Sequence, residues 1–137
     1  VFRRRDINIS ALVSEHIEKH KYYYFKDGAL NGILSNSRVE FLESLNYVNI
    51  RSENILTTTL NDLLSNYDIP NKAIDLLNID IEGHDFQALK SIDLNYYNVK
   101  VILIETGQDH NDIKRYLDKF NYRLYKKVDR NSFFIKS

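Results

Sequence analysis

The period of hydrophobic and polar positions changes several times along the chain, and each change marks an element. Ile7, Ile9, Ala11 and Val13 alternate with Asn8, Ser10 and Leu12, which predicts a strand. Tyr22 to Phe25 predicts a second strand, since aromatic side chains suit a pleated surface. The polar run Ser14 to His20 between them reads as a connecting turn. Lys26 to Asn46 has the weakest pattern, with Gly28 and Gly32 in loops and a short helix near Arg38 to Leu45. A further strand falls within Tyr47 to Leu56. Thr59-Leu60-Asn61-Asp62 has the spacing of a capping box, with Asp in place of Glu or Gln, and Leu60, Leu63 and Leu64 continue at helical spacing. Ile74 to Ile81 is an apolar run interrupted by Asn78 and Asp80, which predicts a strand buried on both faces. Gly83 ends it, and Asp85 to Lys90 predicts a short helix with Asp85 as its N-cap. Val99 to Ile104 predicts a second buried strand. Ile113, Tyr116, Leu117 and Phe120 form a helical stripe behind Asn111 as N-cap. Tyr122 to Val128 and Phe133 to Ile135 close the chain as a hairpin across Asp129-Arg130-Asn131.

Strand, helix, strand, helix from Ile74 onward is the order of an α/β domain. The expected fold is therefore α/β with a mainly parallel sheet and an antiparallel terminal hairpin, because so short a loop cannot join parallel strands. The length of 137 residues suits one domain. With 19 basic and 19 acidic side chains the formal net charge is zero, so a generally basic nucleic-acid binder is excluded. No run of about 18 apolar residues occurs, so no membrane span is expected, and a cytoplasmic location is the corresponding expectation. The absence of cysteine removes disulfides, thiolate nucleophiles and cysteine zinc sites. Methionine is also absent, even at position 1, where the chain opens Val1-Phe2-Arg3-Arg4-Arg5; this reads as a fragment. The arginine run reads as a solvated face.

Ligands of open α/β sheets bind beyond the carboxyl ends of the strands. Two strand ends here carry acids: Asp80-Ile81-Glu82-Gly83-His84-Asp85 and Glu105-Thr106-Gly107. About 20 residues between the strands allow a right-handed crossover, which would make them parallel neighbours. Asp80, Glu82, His84 and Glu105 then open on one cleft, where they can deprotonate a hydroxyl, bind a cation or hold a polar substrate. Each also has a structural reading: Asp80 and Glu105 can bond loop amides, Glu82 can be a solvated acid, and His84 can be a solvated residue at a helix start. His16 and His20 stand four apart, but Glu18 is misplaced for a metalloprotease motif and the segment reads as a turn, so no metal site is expected there. Half of Tyr22-Tyr23-Tyr24-Phe25 is expected in the core, leaving the other half to stack on a sugar or base. No glycine-rich phosphate loop appears.

Thr58-Thr59-Leu60-Asn61-Asp62-Leu63-Leu64, then Ile74-Asp75-Leu76-Leu77-Asn78-Ile79-Asp80-Ile81-Glu82-Gly83-His84-Asp85, then Ala88-Leu89-Lys90, resembles the FkbM-type S-adenosylmethionine-dependent methyltransferases. That family shows T-L-D-x-L, D-L-L-K-I-D-V-E-G-H-E and V-L-K-G segments, followed by a strand ending in Glu. Arg5-Asp6-Ile7-Asn8 resembles its preceding strand, and Asn121-Tyr122 its final return. Asn78 stands for the usual Lys, Asp85 for Glu, and Ser91 for Gly.

The resemblance implies a Rossmann-like class I methyltransferase fold with S-adenosylmethionine as cofactor and a small-molecule acceptor, a hydroxyl of a sugar, lipid or secondary metabolite. It implies His84 or Asp80 as the base or base-orienting pair, with Glu82 and Glu105 orienting the acceptor. The family's D-x-G-x-N-x-G cofactor loop and ribose-binding acid are not found here. Residues 1–137 are thus expected to be the carboxyl-terminal portion of the domain, without its cofactor-binding half. An apolar strand edge left open by that truncation predicts self-association. Two other classes stay open: a metal-dependent hydrolase using Asp80, Glu82, His84 and Glu105 as ligands, and a non-catalytic α/β interaction module.

Overall fold

Two sheets divide the chain in the computed structural model, which describes residues 6–137. The Arg3-Arg4-Arg5 run lies outside the described residues. The first sheet is built from β1 (Lys19–Phe25), β2 (Gly32–Ile33) and β3 (Asn49–Leu56), in the order β2-β1-β3 and antiparallel throughout. Alternation along β1 turns Tyr23 and Phe25 inward. There they meet Val39 and Leu42, which stand three apart on α1 (Asn36–Ser44) and so share one helix face. Ser35 starts this helix, its Oγ accepting the Arg38 N–H at 3.2 Å.

α2 (Leu60–Ser65) follows, capped as its sequence predicts: the Asp62 N–H donates to Thr59 Oγ1 at 3.0 Å, and the Thr59 hydroxyl donates to Asp62 Oδ2 at 2.6 Å. The second sheet contains β4 (Ala73–Ile79), β5 (Asn98–Glu105), β6 (Tyr122–Val128) and β7 (Asn131–Lys136), in the order β4-β5-β7-β6. α3 (Asp85–Lys90) crosses between β4 and β5, and α4 (His110–Asp118) between β5 and β6. Val99, Ile102 and Ile104 of β5, Phe134 of β7, Leu89 of α3, and Ile113 and Leu117 of α4 make the main core. Burying each such side chain contributes about 1.5–3 kcal/mol. The buried Tyr122 satisfies its hydroxyl by donating to the Val99 carbonyl at 2.6 Å.

Four expectations are corrected. The sheet is mixed rather than mainly parallel: β4 and β5 are its parallel pair, and β7 runs antiparallel to both β5 and β6. The tight terminal hairpin places β7 against β5, where it takes the edge another parallel strand would need. β4 is not buried on both faces, since Leu76 is 54% exposed and Asp75 pairs with Lys100 across the open face. As an edge strand it has its outer side unpaired among the described residues. Residues 6–12 form no strand; Val13 makes one bridge to Thr58, and Ile7 is 65% exposed. The strand likeness of Arg5-Asp6-Ile7-Asn8 fails with it over residues 6–8, Arg5 lying outside the described residues. Finally, Asp109 rather than Asn111 occupies the cap position of α4, without a side-chain cap bond. Among the described residues no helix is long and apolar enough to cross a membrane.

Candidate active site

Between the two sheets lies a cleft of about 1010 Å³. One wall is apolar, with Leu30, Ile33, Leu34 and Phe41 flanking Arg38. The opposite wall is made by the loops that follow β4 and β5, together with Arg130 from the terminal hairpin turn. Glu82, His84 and Glu105 are brought together there as the strand-end pattern predicts. Asp80 is not: it is exposed and does not line the cleft.

The loop after β4 reverses the chain within three residues, with Glu82 at φ 56° and Gly83 at φ 86°. Only glycine adopts the second conformation freely, and a non-glycine residue in the left-handed region costs about 1–2 kcal/mol. Asp85 supplies the compensation. Its carboxylate accepts the Ile81 N–H at 3.1 Å and the Gly83 N–H at 3.0 Å, so it fastens the loop behind it. It therefore opens α3 as the first helical residue, and His84, not Asp85, holds the cap position. Burial pushes the Asp85 carboxyl above the usual carboxylate range, against the pull of the backbone N–H groups.

The fastened loop presents His84, half-buried, with Nε2 2.9 Å from the hydroxyl of Ser14. Ser14 is almost fully buried and also lies 3.5 Å from His20 Nε2. His20 Nε2 in turn is 3.0 Å from Glu18 Oε1, and the two imidazole rings meet edge to face at 5.4 Å. Segment 14–20, read from the sequence as a turn, thus supplies the partners that Asp80 was expected to supply. Backbone bonds position it: the Ser14 N–H donates to the Thr58 carbonyl at 3.0 Å and the Thr57 N–H to the Glu18 carbonyl at 2.9 Å. The buried Thr57 hydroxyl oxygen accepts the Glu18 N–H at 3.0 Å. An ion pair between Glu15 and Lys90 ties the same segment to α3. The signal that marks this segment in the sequence is the density of titratable groups between Glu15 and His20; nothing local shows which loop they face.

Burial, then the nearby His20 and Lys90 charges, hold the His84 imidazole below its ordinary pKa, Glu18 opposing them. His110 is lowered too, by burial and by Lys127 and Lys114. An imidazole whose folded pKa is depressed contributes stability that is complete above its unfolded value of about 6.5 and lost as pH falls through the folded value. The urea midpoint is therefore expected to drop between pH 7.5 and 5.5, with a smaller drop in His84→Gln and in His110→Gln. A drop of unchanged size in both variants would refute this.

Glu105 lines the far side of the cleft, paired with Arg130. Its Oε1 lies 2.5 Å from Arg130 Nη2, an ion-pair contact whose N–H is not aimed at the oxygen, so that buried atom accepts no hydrogen bond. Behind it, the Thr106 and Ser132 hydroxyls, both buried, stand 3.0 Å apart, and His110 Nδ1 is 3.2 Å from Thr106 Oγ1. The Thr106 N–H donates to the Arg130 carbonyl at 2.9 Å, joining the loop after β5 to the hairpin turn. Glu82 is exposed at the cleft lip. Among the described residues no three His, Asp or Glu side chains are grouped to hold a metal ion, and the four-ligand set of the hydrolase reading does not converge.

An α/β domain whose fastened strand-end loop presents a histidine to a wide cleft defines the candidate active site. Residues 2–124 match the methyltransferase FkbM domain, and the chain belongs to that family. It is thus an enzyme of methyltransferase type, and S-adenosylmethionine is the typical donor of the family. Comparison with curated proteins and with solved structures gives no match. The described residues do not by themselves fit that donor. Its charged end calls for a glycine-rich turn after a strand. Gly83 and Gly107 stand singly, each at positive φ, and neither belongs to a glycine-rich turn.

Proposed function

We propose that the chain methylates a hydroxyl of a small molecule, and that His84 removes the hydroxyl proton. S-adenosylmethionine supplies the electrophilic methyl group in this family. The chain's own contribution is the acceptor side. The acceptor O–H bond breaks toward His84 Nδ1 in the tautomer that donates its Nε2–H to Ser14, and the oxygen lone pair is freed for methylation. The observation that carries this reading is a half-buried imidazole on the cleft, its pKa held below the ordinary value, with Nε2 engaged by Ser14 and no protein partner at Nδ1 among the described residues. Glu82 is proposed to orient the acceptor, while Glu105 acts through Arg130. The apolar wall beside charged groups suits an amphipathic hydroxyl compound such as a sugar bearing a lipid or other apolar group. In the same reading residues 1–137 are one partial methyltransferase domain, and the open outer edge of β4, with Leu76 and Ile81 exposed, is where the cofactor-binding half would continue the sheet.

The test uses the protein with its cofactor-binding half present and supplies S-adenosylmethionine with a labelled methyl group and a panel of sugar, lipid and small-metabolite hydroxyl compounds. Label recovered in a methyl ether is the expected result. Label in an amine or thiol instead, or in no hydroxyl compound, overturns the reading.

A further inference from the structure

We infer that Glu18, His20 and Ser14 set which nitrogen of His84 carries the proton, so that the Glu18–His20 contact switches the cleft-facing nitrogen between hydrogen-bond donor and base. This rests on the reading of His84 as the base.

The argument is one of hydrogen counting. Ser14 Oγ is 2.9 Å from His84 Nε2 and 3.5 Å from His20 Nε2, and a hydroxyl donates a single proton. It can donate to one imidazole only, and must act as acceptor toward the other. The ring nitrogen opposite a hydrogen bond is fixed by that bond, so the choice at Ser14 propagates to both rings. When the Glu18 carboxylate holds His20 at 3.0 Å, His20 Nε2 bears the proton and Ser14 faces a donor on that side. Its own proton then points to His84 Nε2, and His84 carries its proton on Nδ1, where it can donate into the cleft but cannot accept. When Glu18 swings away, His20 Nε2 can be bare and accept the Ser14 proton. His84 then donates from Nε2 to Ser14, and its Nδ1 lone pair is open to an acceptor hydroxyl.

Burial supports the arrangement. Ser14 is 2% exposed, so water does not compete for its hydroxyl, whereas the Glu18 side chain is 56% exposed, so water can replace His20 as its partner. The charged groups around His84 are His20 and Glu18 on the segment entering β1 and Lys90 on α3, the last neutralised by Glu15. Burial first, then His20 and Lys90, hold the His84 imidazole below its ordinary pKa, with Glu18 opposing them, so its neutral forms are the ones that matter here. Glu18, His20 and Ser14 are positioning residues here; none touches the acceptor.

Imidazole nitrogen NMR of the full chain, combined with turnover of the protein that carries its cofactor-binding half, tests this. In the wild type the neutral His84 signal is expected to be mostly the Nδ1–H form. Glu18→Ala is expected to shift it toward Nε2–H and to raise turnover by roughly two- to fivefold, the range of a partly exposed charged contact, with KM unchanged. Ser14→Ala, which breaks the link without removing a charge, is expected to make the His84 signal indifferent to residue 18. An unshifted His84 signal in Glu18→Ala overturns the inference whatever the turnover. A shifted signal with unchanged turnover shows the coupling but overturns its catalytic role, and with it the assignment of His84 as base.

Discussion

Replacing His84 with glutamine is expected to lower kcat by roughly 10²- to 10⁴-fold, the usual contribution of a positioned general base. Glutamine keeps a polar group within reach of Ser14 and leaves the Asp85-fastened loop in place, so the folded state is expected to survive. The change acts on the proton instead: an amide has no basic lone pair at neutral pH, and the acceptor hydroxyl would have to attack while still protonated. KM for the acceptor is expected to move little, because the apolar wall around Phe41 and the charged groups Arg38 and Glu82 are untouched. Single-turnover methyl transfer with a parallel thermal melt separates these outcomes. A loss of less than about tenfold with an intact melt would remove His84 from the chemistry.

The second large effect concerns stability. Asp85→Ala is expected to cost about 2–4 kcal/mol in urea unfolding, because it leaves the Ile81 and Gly83 N–H groups without an acceptor, at roughly 1–3 kcal/mol each. Part of that loss is offset, since the buried carboxylate is itself held in an unfavourable charged state. With its folded pKa raised, Asp85 binds its proton more tightly in the folded protein. Its contribution to stability therefore falls as pH rises from about 3.8 through the raised value, and alanine removes that dependence. Asp85→Asn keeps one acceptor oxygen and is expected to fall between wild type and alanine. A cost below about 0.5 kcal/mol for alanine would mean that the left-handed turn at Glu82 and Gly83 holds itself. Because the same turn aims His84 into the cleft, Asp85→Ala should lose turnover even at temperatures where the chain stays folded.

The two substitutions also separate what was legible in the sequence from what was not. The strand-end acids at 80–85 and at 105 stand out because apolar runs of strand length stop abruptly at a charge, and local pattern is enough to see that. The same pattern could not say which of them reach the cleft. Alternation assigns Asp80 and Glu82 to one face of an ideal strand, yet the left-handed turn begins at Glu82 and breaks the alternation, leaving Asp80 exposed outside the cleft. The role of Asp85 was half visible: a short acidic side chain at a helix start is expected to bond N–H groups. That it bonds those of the preceding loop instead depends on how tightly the loop folds back.

The sequence by itself determined the family, through the Ile79-Asp80-Ile81-Glu82-Gly83-His84-Asp85 string and its flanking segments, and with it the α/β class, the terminal hairpin, the helix at 85–90 and a helix carrying the stripe Ile113, Tyr116 and Leu117. These follow from local periodicity, turn length and short motifs, all of which act over a few residues. Only the tertiary structure decided the mixed sheet, the exposed edge of β4 and the pairing of Ser14 with His84, two residues 70 apart in the chain. That meeting depends on one bridge between Val13 and Thr58 and on the Thr57 hydroxyl that anchors the Glu18 backbone. Such contacts are chosen by which strands share hydrogen bonds across the whole domain, and no period within the chain encodes them.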